Sequence, residues 1–173
     1  MEKAVEIRLA DIADAYLLAA LGGTTIYEAY FETDEPEDLA EYIADFFNPQ
    51  AIKTELQDSR NSFFIAEMKG KAVGYAKLRE GAPDECVKGE NTIELHRLYV
   101  LEKMTGQGIG EILLQKCLGE AKARGFAMLW LAVYDLNTRA IRFYKKQGFE
   151  KAGETGFYYG EKRFTSFVMK KYL

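Results

Sequence analysis

The sequence predicts an α/β protein, and two features of its patterning carry that prediction. Short runs that alternate apolar and polar residues, the period of a half-buried strand, recur between longer segments whose apolar residues return every three or four positions, the period of a helix. In addition, the strand-like run 94–100 leads through a turn holding Gly106, Gly108 and Gly110 into a helical pattern. A strand joined to a helix by a glycine-rich turn is a unit of α/β folds.

Each element follows from local signals. Residues 5–9 alternate and form a short strand. Asp11 is placed to N-cap a helix through Leu21, with Ile12, Ala15, Tyr16 and Ala19 on one face. Gly22-Gly23 is expected to loosen or bend that helix before residues 24–31 resume it. Residues 33–36 are a break, and Pro36 suits the first turn of a helix reaching about Phe47. Asn48-Pro49 is a second capped start, for a short helix ending near Asp58. Residues 62–67 and 72–77 are strands joined by a turn, a hairpin, and 80–91 is a loop. The helix after the glycine turn, 107–124, sets Ile109, Ile112, Leu113, Leu118 and Ala121 on one face. Residues 128–133 are a buried strand, and 155–172 are two strands turning near Tyr159-Gly160.

Composition limits the possible functions. The chain has 173 residues, 48% hydrophobic and 29% charged, which is globular composition and enough length for one core, so a single domain over 1–173 is expected. It has no run of about 18 apolar residues and no basic region ahead of an apolar one, which argues against a membrane span or a signal peptide. Cys86 and Cys117 stand far apart without further ligand-type company, so they read as reduced thiols of a cytoplasmic protein and no metal site is expected. Charge is uneven: between Arg8 and Lys53 lie ten acids and no base, so a net −4 overall leaves +6 for the rest. That acidic segment argues against a nucleic-acid partner.

A glycine turn opening a helix presents backbone N–H groups at the positive end of the helix dipole, which suits phosphate oxygens. The spacing fits neither a nucleotide P-loop, which needs Gly-Lys-Ser/Thr, nor a dinucleotide fingerprint, which needs Gly-x-Gly-x-x-Gly. The deciding signal lies downstream, in Asn137-Thr138-Arg139-Ala140-Ile141-Arg142-Phe143-Tyr144 and Gly148-Phe149. With the glycine turn before it, this strongly resembles the GCN5-related N-acetyltransferase (GNAT) family, whose signature is Gln/Arg-x-x-Gly-x-Gly/Ala, then Asn-x-x-Ala-x-x-Phe-Tyr-x-x-x-Gly-Phe. The second element matches in full. The first departs where Thr105 stands for the leading Gln or Arg, which puts one pyrophosphate contact in doubt.

The resemblance implies a mostly antiparallel mixed sheet of about seven strands flanked by helices, with a splayed parallel pair forming an acetyl-CoA cleft. It places the pantetheine arm on the backbone of Leu98, Tyr99 and Val100, the pyrophosphate on Gly106, Gln107, Gly108, Ile109, Gly110 and Glu111, and further cofactor contacts on Asn137 and Tyr144. The chemistry it implies is direct attack of a primary amine on the thioester in a ternary complex. An alkyl ammonium with a pKa near ~10.4 is a free nucleophile in only about one molecule in a few thousand at pH 7, so a proton acceptor is needed. Tyr144 falls at the family position of the acid that protonates the leaving thiolate. The second-strand Glu that serves some relatives as base is Ala132 here, leaving Glu94 and His96, two residues apart on one strand face, to remove the proton.

The resemblance implies that the helices after the first strand wall the acceptor side, and there Tyr27, Tyr30, Phe31 and Tyr42 interleave with acids including Glu32 and Glu35, a pattern that favours cations. Together with Glu94 these residues make the expected substrate wall. Further similarity to the bacterial branch that acetylates spermidine and spermine lies in Tyr27–Phe31, Phe46-Phe47-Asn48, residues 62–65 and Phe157-Tyr158-Tyr159-Gly160, and implies a polyamine acceptor; the expected assembly is a monomer or homodimer. The alternatives are a protein N-terminus, an amino acid or an aminoglycoside as acceptor, or a non-catalytic acyl-CoA-binding regulator.

Overall fold

A computed structural model of the chain describes residues 5–89, 91–159 and 161–173. The described residues form seven strands, β1 (Val5–Leu9), β2 (Asn61–Met68), β3 (Lys71–Arg79), β4 (Thr92–Val100), β5 (Met128–Tyr134), β6 (Glu150–Tyr159) and β7 (Lys162–Tyr172), and the helices α1 (Ala15–Tyr30), α2 (Pro36–Phe46) and α3 (Pro49–Gln57), all between β1 and β2, α4 (Ile109–Ala123) and α5 (Thr138–Lys146). The strands form one mixed sheet in the order β1-β2-β3-β4-β5-β7-β6, the expected class. The chain divides into two compact units, one built from the chain up to Leu78 with Arg97–Cys117, the other from Arg79–His96 with Leu118–Leu173.

In the first unit β1 pairs antiparallel with β2. The two-residue turn between β2 and β3 has positive φ at both Lys69 (53°) and Gly70 (68°), the hairpin geometry that matches strand twist. Asp11 caps the start of the first helical segment by accepting from Ala13 N at 2.8 Å, while Asp14 accepts from Asp11 N at 2.9 Å. Arg8 grips Asp14 with two bonds of 2.8 Å and reaches Glu67 at 2.7 Å, tying β1 to both neighbours. That hydrogen bond from Arg8 lowers the pKa of Asp14.

Two expectations for α1 are corrected. The helix runs unbroken through Gly22-Gly23, because these glycines serve packing and not bending. A Cβ at Gly22 would overlap the Phe47 ring and come within 2.7 Å of Tyr75 Oη, and one at Gly23 would lie 3.0 Å from Ile43. The buried face comprises Ala15, Leu18, Ala19, Leu21 and Ile26, whereas Ile12 (43%) and Tyr16 (77%) are exposed. In α4, Ile112 is likewise exposed, and Leu114 and Cys117 are buried with Ile109 and Leu113. Alanine carries little hydrophobic weight, so the larger Ile and Tyr misled the choice of face.

Beneath α3 sits a buried ionic cluster. Glu55 bonds Arg97 twice (2.6 and 3.0 Å) and lies 3.1 Å from Lys77 Nζ. The two cations are only 5% and 2% exposed and share one carboxylate. Arg97 also lies over the Phe47 ring and Lys77 over Phe63, so aromatic faces offset part of their desolvation.

In the second unit the parallel ladder joins β4 to β5 from Thr92↔Met128 to Glu94↔Trp130, while β5 pairs antiparallel with β7 along its whole length. Val87, Met128, Trp130 and Val168 form a core here. β6 starts at Glu150, five residues before the expected position. A register shift between Lys151 and Gly153 interrupts the alternation that would have revealed it. The expected turn at Gly160 lies outside the described residues.

Candidate active site

In the first unit the end of β4 and the turn after it are shaped by close backbone packing. Gly74 of β3 is required where β3 meets β4, since a Cβ there would lie 3.2 Å from Val100 Cα and only 2.5 Å from Tyr99 O. Tyr99 stands edge-on to Tyr75 at 5.5 Å and near Phe47 at 6.1 Å, and burial raises the phenol pKa of both Tyr75 and Tyr99. Leu101 N then donates to Val73 O at 3.0 Å, and a 3₁₀ turn, Glu102–Met104, follows.

The glycine turn comes next. Gly106 and Gly108 have φ of 77° and 80°, a region that favours glycine. A Cβ built on either meets nothing within 4 Å, so the space above the turn is open. Gly108 O accepts from Ile112 N at 3.0 Å, which makes Gly108 the residue that opens α4. The N–H groups of the first helical turn have no carbonyl partner within the helix. Exposed Gly106, Gln107, Gly108 and Glu111 and buried Ile109 thus form a solvent-open array of main-chain donors, the feature a pyrophosphate requires. Thr105 points elsewhere, donating its hydroxyl to Glu102 O at 2.7 Å.

The acidic segment splits into two settings. Tyr30 and Tyr42 pack against the cluster of Ile26, Leu39 and Phe47, with Tyr99 beside them. Tyr27 and Phe31 are about half exposed and stack on each other at 6.2 Å with planes 14° apart. Glu32 and Glu35 are exposed, whereas Glu28 turns inward and accepts from Glu102 N at 2.9 Å.

In the second unit Glu94 is buried, and its Oε2 accepts from Arg79 Nε at 2.8 Å and lies 2.7 Å from Nη2. His96, two residues on, is half-buried. Asn137 N-caps α5 by accepting from Ala140 N at 3.1 Å. Near the end of that helix Tyr144 is buried, edge-on to Phe143 at 5.2 Å and Phe149 at 5.6 Å, so packing against both rings holds it. Ala132, where some relatives carry a Glu, is exposed on β5. Sequence reasoning missed Arg79 and the inward turn of Glu28, because partners 15 and 74 residues away leave no local signal. Among the described residues no group of three His, Cys, Asp or Glu could hold a metal ion, and no helix is long and apolar enough to cross a membrane.

The profile of the acetyltransferase (GNAT) family matches residues 23–149 of this chain. The chain belongs to the GNAT family. An uncharacterized N-acetyltransferase of Mycobacterium tuberculosis is 32% identical over 162 residues, 94% of this chain and 99% of that protein. The L-methionine sulfoximine/L-methionine sulfone acetyltransferase of Pseudomonas aeruginosa is 30% identical over 154 residues, 86% of this chain and 81% of its own. In fold the chain is similar to the PaiA N-acetyltransferase of Thermoplasma acidophilum, crystallised with coenzyme A (TM-score 0.81, 24% identity, 98% and 99% of the two chains covered). The protein is therefore an acyltransferase of the GNAT family that uses acetyl-CoA as acetyl donor. The open array of main-chain donors at the glycine turn fits the phosphates of that donor.

Proposed function

We propose that this GNAT enzyme acetylates a primary amine borne on an extended polycation, a polyamine such as spermidine or spermine. The observation that carries the reading is the exposed Tyr27–Phe31 stack set in a segment of ten acids and no base. Aromatic faces and carboxylates attract ammonium groups, and a flexible chain with several of them can engage Glu32 and Glu35 while one terminus reacts.

The donor's pyrophosphate is held by the amides of Gly106 to Glu111, and the backbone of Leu98, Tyr99 and Val100 lies along its pantetheine arm. Asn137, besides capping α5, stands at the motif position that gives it a further contact to the donor. Glu94 or His96 accepts the ammonium proton through water, with Arg79 fixing the Glu94 carboxylate. The amine nitrogen then bonds the thioester carbon as the carbon–sulfur bond breaks, the Tyr144 hydroxyl gives its proton to the departing thiolate, and the proton that the nitrogen loses on becoming the amide passes back through water to the Tyr144 oxygen.

The Pseudomonas relative favours a second reading, an amino-acid-like acceptor carrying both amine and carboxylate. Converting Glu32 and Glu35 together to Lys separates them. The polyamine reading expects KM for spermidine to rise about tenfold or more, with a weaker dependence on salt. An unchanged KM removes this wall from acceptor binding.

A further inference from the structure

We infer that Glu28 and Thr105 form a clamp on Glu102 that holds the glycine turn in its donor-binding shape. The inference rests on the reading of that turn as the pyrophosphate site. The run from β4 to Gly106 is anchored at successive points. Leu101 N is bonded to Val73 of β3, Glu102 N to the Glu28 carboxylate of α1, and Glu102 O to both the hydroxyl (2.7 Å) and the amide (3.0 Å) of Thr105. Both main-chain polar groups of Glu102 are therefore engaged immediately before the turn. Beyond it Ile109, 1% exposed, anchors the opposite end in the core.

Between the anchors lie Gly106, Gln107 and Gly108, all exposed, with two residues at positive φ and no Cβ contact to restrain them. Glycine loses more backbone freedom on ordering than any other residue, so an unanchored turn would give up that freedom at each binding event. Fixing the chain on both sides lowers this cost in advance, which is preorganisation. Thr105 stands where the family pattern has Gln or Arg, so this chain replaces a side-chain contact to the donor with a brace on the loop that supplies main-chain contacts. Glu28 and Thr105 are positioning residues and touch no reacting atom.

Electrostatics alone predicts the opposite sign for one partner. Removing a carboxylate near a bound pyrophosphate should strengthen binding, whereas removing a brace should weaken it. The test measures acetyl-CoA affinity by calorimetry, with Tm in parallel, for the wild type and for Glu28→Ala, Glu28→Gln, Thr105→Val and Thr105→Ser. Glu28→Ala and Thr105→Val should each raise Kd about fivefold, the effect of one lost hydrogen bond. Glu28→Gln and Thr105→Ser keep an acceptor or a hydroxyl and should stay within about twofold of wild type. A purely structural role would lower Tm without this split between lost and retained groups. Wild-type affinity, or tighter binding, in Glu28→Ala overturns the clamp. Amide shifts on titrating the wild type with acetyl-CoA test the underlying reading: movement of Gly106, Gly108 and Glu111 upholds it, and unmoved amides overturn the loop assignment and the clamp together.

Discussion

The glycine turn of the first unit and helix α5 of the second carry the two halves of the family motif, and they present chemistry in different ways. At the turn the proposed working groups belong to the main chain: Gly106 and Gly108 have positive φ and open space around them, and the amides that follow are the proposed donors. On α5 the proposed working group is a side chain, the Tyr144 phenol, whose ring packs edge-on to those of Phe143 and Phe149. A main-chain site tolerates substitution wherever φ and space permit and fails through its supports. A side-chain site fails when one atom is removed.

The sharpest way to break this contrast is Tyr144→Phe, which keeps the ring packing and deletes only the hydroxyl. Loss of a general acid should lower kcat by about 10²- to 10⁴-fold with acetyl-CoA affinity little changed. A wild-type kcat in steady-state assays would take Tyr144 out of the chemistry and leave it a packing residue.

The supports of the main-chain site offer the next test. Arg97 precedes the Leu98–Val100 run, and it and Lys77 both pair with the Glu55 carboxylate. Glu55→Gln breaks the Arg97–Glu55 pair, in which Arg97 is 5% exposed, and should cost about 3–5 kcal/mol in denaturant unfolding, the range for breaking a buried pair. A loss below about 1 kcal/mol would mean that the aromatic faces of Phe47 and Phe63 carry these charges without the carboxylate.

A smaller effect lies away from both motifs, at the Arg8–Asp14 pair. Arg8 lowers the folded-state pKa of Asp14, so the pair's contribution is present above the unfolded value near ~3.9 and is lost as pH falls through the lowered folded value. Arg8 is 40% exposed, which limits the contribution to about 1 kcal/mol or less. Asp14→Asn should show that deficit at pH 7, and the gap to wild type should close under acid. A gap independent of pH would assign the effect to the helix start and not to the ion pair.

The fold was legible where local signals agreed. Asp11, Asn48 and Asn137 cap helix starts as their residue types require, Pro36 and Pro49 sit at first turns, and Lys69-Gly70 makes the hairpin turn. What the sequence hid was long-range. Gly22-Gly23 reads as a helix breaker until Phe47 and Ile43 are seen to fill the space, and the register shift in β6 erased its alternation. The same holds for the site. The glycine turn, Asn137 and Tyr144 could be singled out as candidates because a motif is local, while Arg79 beside Glu94 and Glu28 beneath Glu102 depend on tertiary neighbours.

The central claim is tested most directly by following free-CoA release from acetyl-CoA. The panel is spermine, spermidine, putrescine, an aminoglycoside, methionine sulfoximine and an N-terminal peptide. The account predicts turnover concentrated on spermine and spermidine and suppressed by added salt. Turnover confined to methionine sulfoximine or to the peptide, or none on any amine while acetyl-CoA still binds, would contradict it.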